Sequence, residues 1–164
     1  MSGFVIGKQL GKGFAGNVSR SQDTVIACFA AKGAEIPFGA PVILNADGTV
    51  SRYSKGDSAA KVIGFAVREV KQAKDDGGEA AYKAGEPVDV LLRGNVCVKV
   101  AAGTAAPGGA VYLRTGTGTG HTAGDLVASA STTSGETAQL SHVVFASAAD
   151  SDGIAEATVV TRAI

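Results

Sequence analysis

Along residues 85 to 100, GEPVDVLLRGNVCVKV, apolar and polar side chains alternate on either side of Arg93-Gly94-Asn95. A period of two is the mark of a strand that buries one face. The Arg-Gly-Asn break between the halves predicts a tight hairpin corner. Similar short β-branched runs recur from residue 24 onward, beginning with TVIACFAA. In PVILNADGTVSRY two runs flank Asp47-Gly48, a hairpin signal because glycine accepts a positive φ without steric cost. KVIGFAVREV, residues 61 to 70, is compatible with helix or strand on propensity, but Val62, Ile63, Val67 and Val70 around an internal Gly64 favour a bulged strand. The chain closes on LSHVVFASA and EATVVTRAI, separated by the turn-prone DSDG.

The segments between these runs read differently. Residues 1 to 23 carry glycine at 3, 7, 11, 13 and 16, and their apolar residues keep no period, which predicts an extended N-terminal arm. KQAKDDGGEAAY, residues 71 to 82, is charged and broken by Gly77-Gly78, so it is expected to form a surface loop with room for one helical turn. An internal echo runs through the chain. Gly39-Ala40-Pro41-Val42-Ile43-Leu44 matches Gly85-Glu86-Pro87-Val88-Asp89-Val90, and Gly109-Ala110-Val111-Tyr112-Leu113 is a version one residue shorter. Each is a turn feeding a strand, with proline confined to the strand's first position because it donates no ladder hydrogen bond; chance similarity in a Gly- and Val-rich chain is the competing explanation. Strands spaced so closely, with so little helical pattern, predict an all-β fold. The expected architecture is a small β-barrel or β-sandwich over residues 24–164, preceded by the arm over residues 1–23.

Composition narrows the picture. A chain of 164 residues and 16.2 kDa fits one domain. Its apolar fraction is 45%, yet it has no Trp and only 5% aromatics, so the core is expected to be thin and rich in Ala and Val. Lys and Arg total 15, as do Asp and Glu, and a net charge of zero argues against nucleic-acid binding through counterion release. The chain contains no apolar run near the ~20 residues that cross a bilayer, and its start lacks the apolar core of a signal peptide. Folding in the cytosol is therefore expected, with Cys28 and Cys97 as reduced, buried packing residues.

Several motifs invite chemistry. Residues 10 to 18, LGKGFAGNV, fit a protein-kinase glycine loop, but the chain contains neither His-Arg-Asp nor Asp-Phe-Gly, which phosphoryl transfer requires as base and metal ligand. Ser58, in Gly56-Asp57-Ser58, needs a base to act as a nucleophile, and only His121 and His142 are available. Cys28, Cys97, His121 and His142 form no paired metal clip, and Asp75, Asp76 and Glu79 lack the regular spacing of a calcium loop. No metal, cofactor or small-molecule substrate is expected. Lys8, Lys12, Arg20 and Lys32 give the N-terminal region a mild positive bias, with Asp23 the only acid before Glu35.

The order of motifs resembles the tailed-phage capsid cement, or head decoration, proteins. The resemblance begins at GFAGNVS, runs through IPFGAPV, VIGFAVR, YKAGEPVDVLLRGNVCVKV and APGGAVYLRT, and ends with GIAEATVV. It implies a β-rich domain that attaches to the outside of the major capsid shell between capsomers and locks it against internal DNA pressure, without catalysis. The partner is then the major capsid protein, and the expected location is the virion exterior, reached from the host cytoplasm during assembly. A homotrimer around local three-folds is the first expectation and a dimer at two-folds the second. The contact is expected in residues 2 to 20, with Phe4, Val5, Ile6, Lys8, Leu10, Lys12 and Phe14 as its residues; an extended segment can add as a strand to a neighbour's sheet while its apolar side chains fill pockets. A tail or baseplate component, or another β-rich binding module, is the rival, followed by a hydrolase using Ser58.

Overall fold

The computed structural model describes residues 13–68 and 81–161. Phe4, Val5, Ile6, Lys8, Leu10 and Lys12 lie outside the described residues, as do Asp75, Asp76, Gly77, Gly78 and Glu79. The strands are β1 (Val18–Ala30), β2 (Ile36–Pro37), β3 (Pro41–Leu44), β4 (Val50–Arg52), β5 (Val62–Ala66), β6 (Ala81–Tyr82), β7 (Pro87–Ala102), β8 (Ala110–Arg114), β9 (Leu126–Val127), β10 (Thr137–Phe145) and β11 (Ile154–Val159). A single 3-10 turn, Ala59–Lys61, is the only helical element among the described residues. The all-β expectation is met.

Strand β7 organises the molecule. Its second half pairs with β11 on one edge and β9 on the other, and β11, β10, β8 and β9 pair in turn, closing a five-stranded barrel. Its first half pairs with β1 and β5, and β5 continues through β3 to β4 as a second, open sheet. The barrel core holds Val96, Val98, Val111, Leu113, Leu126, Leu140, Val143, Phe145 and Val159, together with Phe65 and Leu91 from the inner face of the open sheet. A second core on the outer face of that sheet gathers Ile36, Phe38, Val42, Val50, Ile63, Tyr82, Val88, Val90 and Leu92, and the short β2–β6 pair contributes to it. Each of the larger apolar side chains contributes about 1.5–3 kcal/mol on burial.

The Arg93-Gly94-Asn95 break is not a corner, because β7 runs through it without interruption for 16 residues. It changes the strand's faces instead. Val88, Val90 and Leu92 belong to the outer core, whereas Val96 and Val98, at the same parity, belong to the barrel core. Strict alternation forbids this, so the strand must slip by one position, which a β-bulge accomplishes. Gly94, at φ +119°, sits at the slip, and opposite it β1 bulges between Arg20, paired with Asn95, and Val25, paired with Arg93. A turn signal and a bulge signal are the same glycine property, so the local sequence does not separate them.

Other expectations fare better. Asp47-Gly48 does join β3 to β4, with Asn45 N–H donating to Thr49 O at 2.8 Å. β5 is bulged, with Ile63 skipped between the pairs Val42–Gly64 and Ile43–Val62. The strand expected from residue 24 begins earlier: Val18 pairs with Val96 and Arg20 with Asn95. Residues 18–23, VSRSQD, contain one apolar side chain, so no alternation betrays this part of the strand.

The internal echo proves to be a turn rule. In Pro37–Ala40, Lys83–Glu86 and Ala106–Gly109 the fourth residue's N–H donates to the first residue's C=O at 2.9–3.1 Å, and the third residue is a glycine at φ +75° to +84°. A strand begins at the next residue each time, at Pro41, Pro87 and Ala110. The third copy therefore aligns on Gly108 rather than Gly109 and is not shortened. Phe14–Asn17, Thr122–Asp125 and Thr133–Glu136 repeat the arrangement before β1, β9 and β10. Glycine at the third position is what a type II turn demands.

Two glycines separate steric from conformational cost. A Cβ on Gly64 would lie 2.0 Å from Leu91 O, a backbone atom at the junction of β5 and β7, whereas Gly48 faces open space at φ +80°. Urea unfolding should show Gly64→Ala destabilised by about 3 kcal/mol or more and Gly48→Ala by about 1 kcal/mol. Equal effects would contradict the close approach of the two strands.

Candidate interaction surface

The first described residues are held firmly. In the turn Phe14–Asn17, Gly16 N–H donates to Cys97 O at 2.8 Å, Cys97 N–H returns to Asn17 O at 2.8 Å, and Arg68 N–H donates to Gly16 O at 2.8 Å. Gly16 also packs on the neighbouring turn: a Cβ there would stand 2.8 Å from Phe38 Cβ. The turn thereby fixes Phe14 on the surface, 65% exposed, one of two large apolar side chains so exposed among the described residues.

A stack leads inward from it. The Arg68 guanidinium lies 5.5 Å from the Phe14 ring centre and 5.7 Å from that of Phe38. Phe38 meets Tyr82 edge-on at 5.1 Å, and the Tyr82 hydroxyl donates to Val67 O in the buried interior. Each cation–ring contact contributes about 0.5–1 kcal/mol at an exposed site. Phe14 therefore sits on a cation seated on the outer core.

Beside this stack runs an open groove of about 850 Å³, lined by Phe14, Phe38, Arg52, Tyr53, Arg68 and Lys99 and closed on one side by residues 122–126. Among the described residues its lining includes Arg52, Arg68 and Lys99 and one acid, Asp125, whose Oδ2 already accepts the Thr122 N–H at 2.6 Å. The elements that bring them together are far apart in the chain: the β4 end, the β5 exit, β7 and the turn before β9.

Of the residues read as a contact in the sequence, Phe14 is the one that the structure describes, and it stands at the lip of this groove. The basic bias of the N-terminal region divides. Arg20 reaches Glu156 on β11 through Nε at 2.8 Å and Nη2 at 3.2 Å, and Ser19 Oγ donates to the same carboxylate at 2.7 Å. The Glu156 side chain is 9% exposed, so Arg20 clasps β1 to a barrel strand rather than standing as a solvated cation. Lys32 pairs with Asp47 at 2.5 Å, and this bond, with those from Thr49, holds the Asp47 carboxyl well below the usual carboxylate range. Arg52, Arg68 and Lys99 carry no common motif, and alternation opened to inference the solvent-side placement of Arg52 beyond the β3–β4 hairpin and of Lys99 in NVCVKV, but not their meeting.

The remaining chemical candidates are dispersed. Ser58 is exposed at the head of the 3-10 turn, and no hydrogen bond joins it to a histidine among the described residues. His121 lies in a loop bridged to Gly118. His142 is half-buried on β10, where burial pushes its imidazole pKa below the ordinary value, and its Nε2 has no hydrogen-bond partner among the described residues. Cys97 is buried as expected, but Cys28 is exposed, opposite Asp89 in the β1–β7 ladder. Desolvation and the facing Asp89 push the Cys28 thiol up. No group of three His, Cys, Asp or Glu side chains is placed to hold a metal ion among the described residues.

A closed β-barrel carrying an added sheet, with an anchored aromatic and a cationic groove on its surface, defines a β-rich protein built to present a rigid surface. The chain belongs to the XM1 gp53 minor capsid protein family, whose model matches residues 4–159, and is thus a tailed-phage capsid-associated protein. Its fold is similar to that of a chain in a solved structure of the capsid of Myoviridae Phage XM1, with TM-score 0.73 and 16% identity, covering 99% of this chain and 99% of that one. No curated protein matches it.

Two measurements check the structural roles. Arg20→Ala should lower stability by about 1–2 kcal/mol by leaving a nearly buried carboxylate without its cation, while Phe14→Ala stays within about 1 kcal/mol of the parent. Burial holds the folded-state pKa of His142 below its ordinary value of about 6.5, so the unfolded chain takes up its proton first and stability is lost as pH falls through that value. His142→Gln should flatten the stability profile between about pH 7 and about pH 5; an unchanged slope would assign the dependence to other groups.

Proposed function

We propose that the protein is a capsid cement protein. It binds the outer surface of the major capsid shell between capsomers, as a trimer at local three-folds in preference to a dimer at two-folds, and stabilises the shell against internal DNA pressure. It joins the shell from the host cytoplasm during assembly, and it works by adhesion, with no substrate turned over and no cofactor. Membership of a minor capsid family over residues 4–159 carries this reading, and it favours a place on the head over one in the tail or baseplate.

The physics suits the role. The barrel and its added sheet form a rigid support, and the turn at Phe14–Asn17 fixes the point from which residues 1–12 depart. Those residues supply Phe4, Val5, Ile6 and Leu10, with Lys8 and Lys12, as an extended contact segment that adds to a strand edge on a neighbour. Many copies acting on one closed shell convert modest affinity per site into strong stabilisation.

The test is a truncation placed by the structure. Removing residues 1–20 would also remove the start of β1 and the Arg20–Glu156 clasp, so the cut belongs after residue 12. The shortened protein should unfold at the parent's midpoint yet fail to co-sediment with parent capsids, which the full chain saturates at a fixed ratio to shell subunits. Undiminished binding by the shortened protein would remove the leading residues from the contact; failure of the full chain to bind would remove the cement reading itself.

A further inference from the structure

We propose that the groove between Phe14 and Asp125 is a docking site for an acidic segment of the protein's partner, and that Arg52 and Lys99 select it by charge. Its biological partner rests on the cement reading, which makes that segment part of the capsid shell. The argument begins with how this chain disposes of its cations. Arg20, Lys32, Arg93 and Arg114 each have an acid partner, in Glu156, Asp47, Asp23 and Glu136. Arg52, Lys55, Lys61 and Lys99 have no ion-pair or hydrogen-bond partner for their side chains among the described residues, and of these four Arg52 and Lys99 line the groove. They share it with Arg68, and the acid that lines it among the described residues, Asp125, is engaged with the Thr122 amide.

Charge complementarity therefore selects the occupant. Carboxylates entering the groove meet Arg52 and Lys99, neither paired with an acid among the described residues, beside the committed Asp125. The apolar rim adds affinity of another kind, since exposed aromatics and arginines are the residue types that dominate protein contacts. Phe14 is such a residue, held in position before any partner arrives, and preorganisation lowers the ordering cost of binding. Nucleic acid is the poorer fit, because a neutral chain with three local cations offers few phosphate contacts.

The test uses the full chain and its Arg52→Glu/Lys99→Glu variant, with Arg52→Gln/Lys99→Gln as the neutral counterpart, after equal thermal midpoints establish that all are folded. The probes are a fluorescent peptide of glutamates around one phenylalanine, the same peptide with lysines, and oligo(dT). The glutamate peptide should bind the parent, lose about tenfold in affinity in the neutral variant and more in the reversed one, and weaken between about 0.1 M and about 1 M salt as the screening length falls from about 10 Å to about 3 Å. Capsid co-sedimentation of the reversed variant should fall in step. No binding of the glutamate peptide, equal binding by the variants, or oligo(dT) binding that follows the same substitutions more strongly would overturn the proposal. If the parent binds capsids and the reversed variant binds them equally well, the groove is excluded as a shell contact while the cement reading stands; if the parent fails to bind capsids, that reading falls and the peptide result alone judges the groove.

Discussion

Strand β7 carries ladder hydrogen bonds on both edges, first to β1 and β5 and then to β11 and β9, and midway its side chains must exchange one core for another. That exchange is the constraint on which the molecule depends. Without the slip at Gly94, Val96 and Val98 would point out of the barrel, and the same strand could not close it while also founding the open sheet. The bulge of β1 packs directly on this point: a Cβ on Gly94 would stand 3.1 Å from Thr24 Oγ1 and 3.2 Å from Thr24 Cα. Barrel, sheet and β1 are thus coupled through one residue without a side chain.

Fixing β7 also determines where the surface features stand. Cys97, just past the slip, exchanges backbone hydrogen bonds with the turn that presents Phe14, and Lys99 follows on the same strand at the groove. Glu156, paired across the ladder with Cys97, receives Arg20 from the opposite neighbour of β7. The exposed groove therefore inherits its rigidity from the barrel rather than from contacts of its own. For a capsid-associated protein this matters, because side chains already in place need less ordering on any contact they make.

The division of the cations follows the same logic. Arg20 and Lys32 are close together in the chain and read as one basic region, yet each is committed to an acid that another element delivers. Arg52, Arg68 and Lys99 are dispersed in sequence and meet only because β4, the exit of β5 and β7 converge. Local charge density along the chain and charge density on the surface are different quantities here, and the folded topology converts one into the other.

Strand content, the Asp47-Gly48 hairpin, the bulge around Gly64 and the turn-then-strand entries at Pro41 and Pro87 were legible in the sequence, since each depends on a period of two or on a backbone conformation that glycine alone adopts cheaply. Phe14 reads in the sequence as part of an extended segment, whereas it stands exposed on a clamped turn. The continuity of β7 through Arg93-Gly94-Asn95, the early start of β1, the exposure of Cys28 and the gathering of Arg52, Arg68 and Lys99 were decided by tertiary structure. The reason is physical: whether a left-handed glycine reverses a chain or shifts its register depends on which strands lie on either side, and no short stretch of sequence contains its own neighbours.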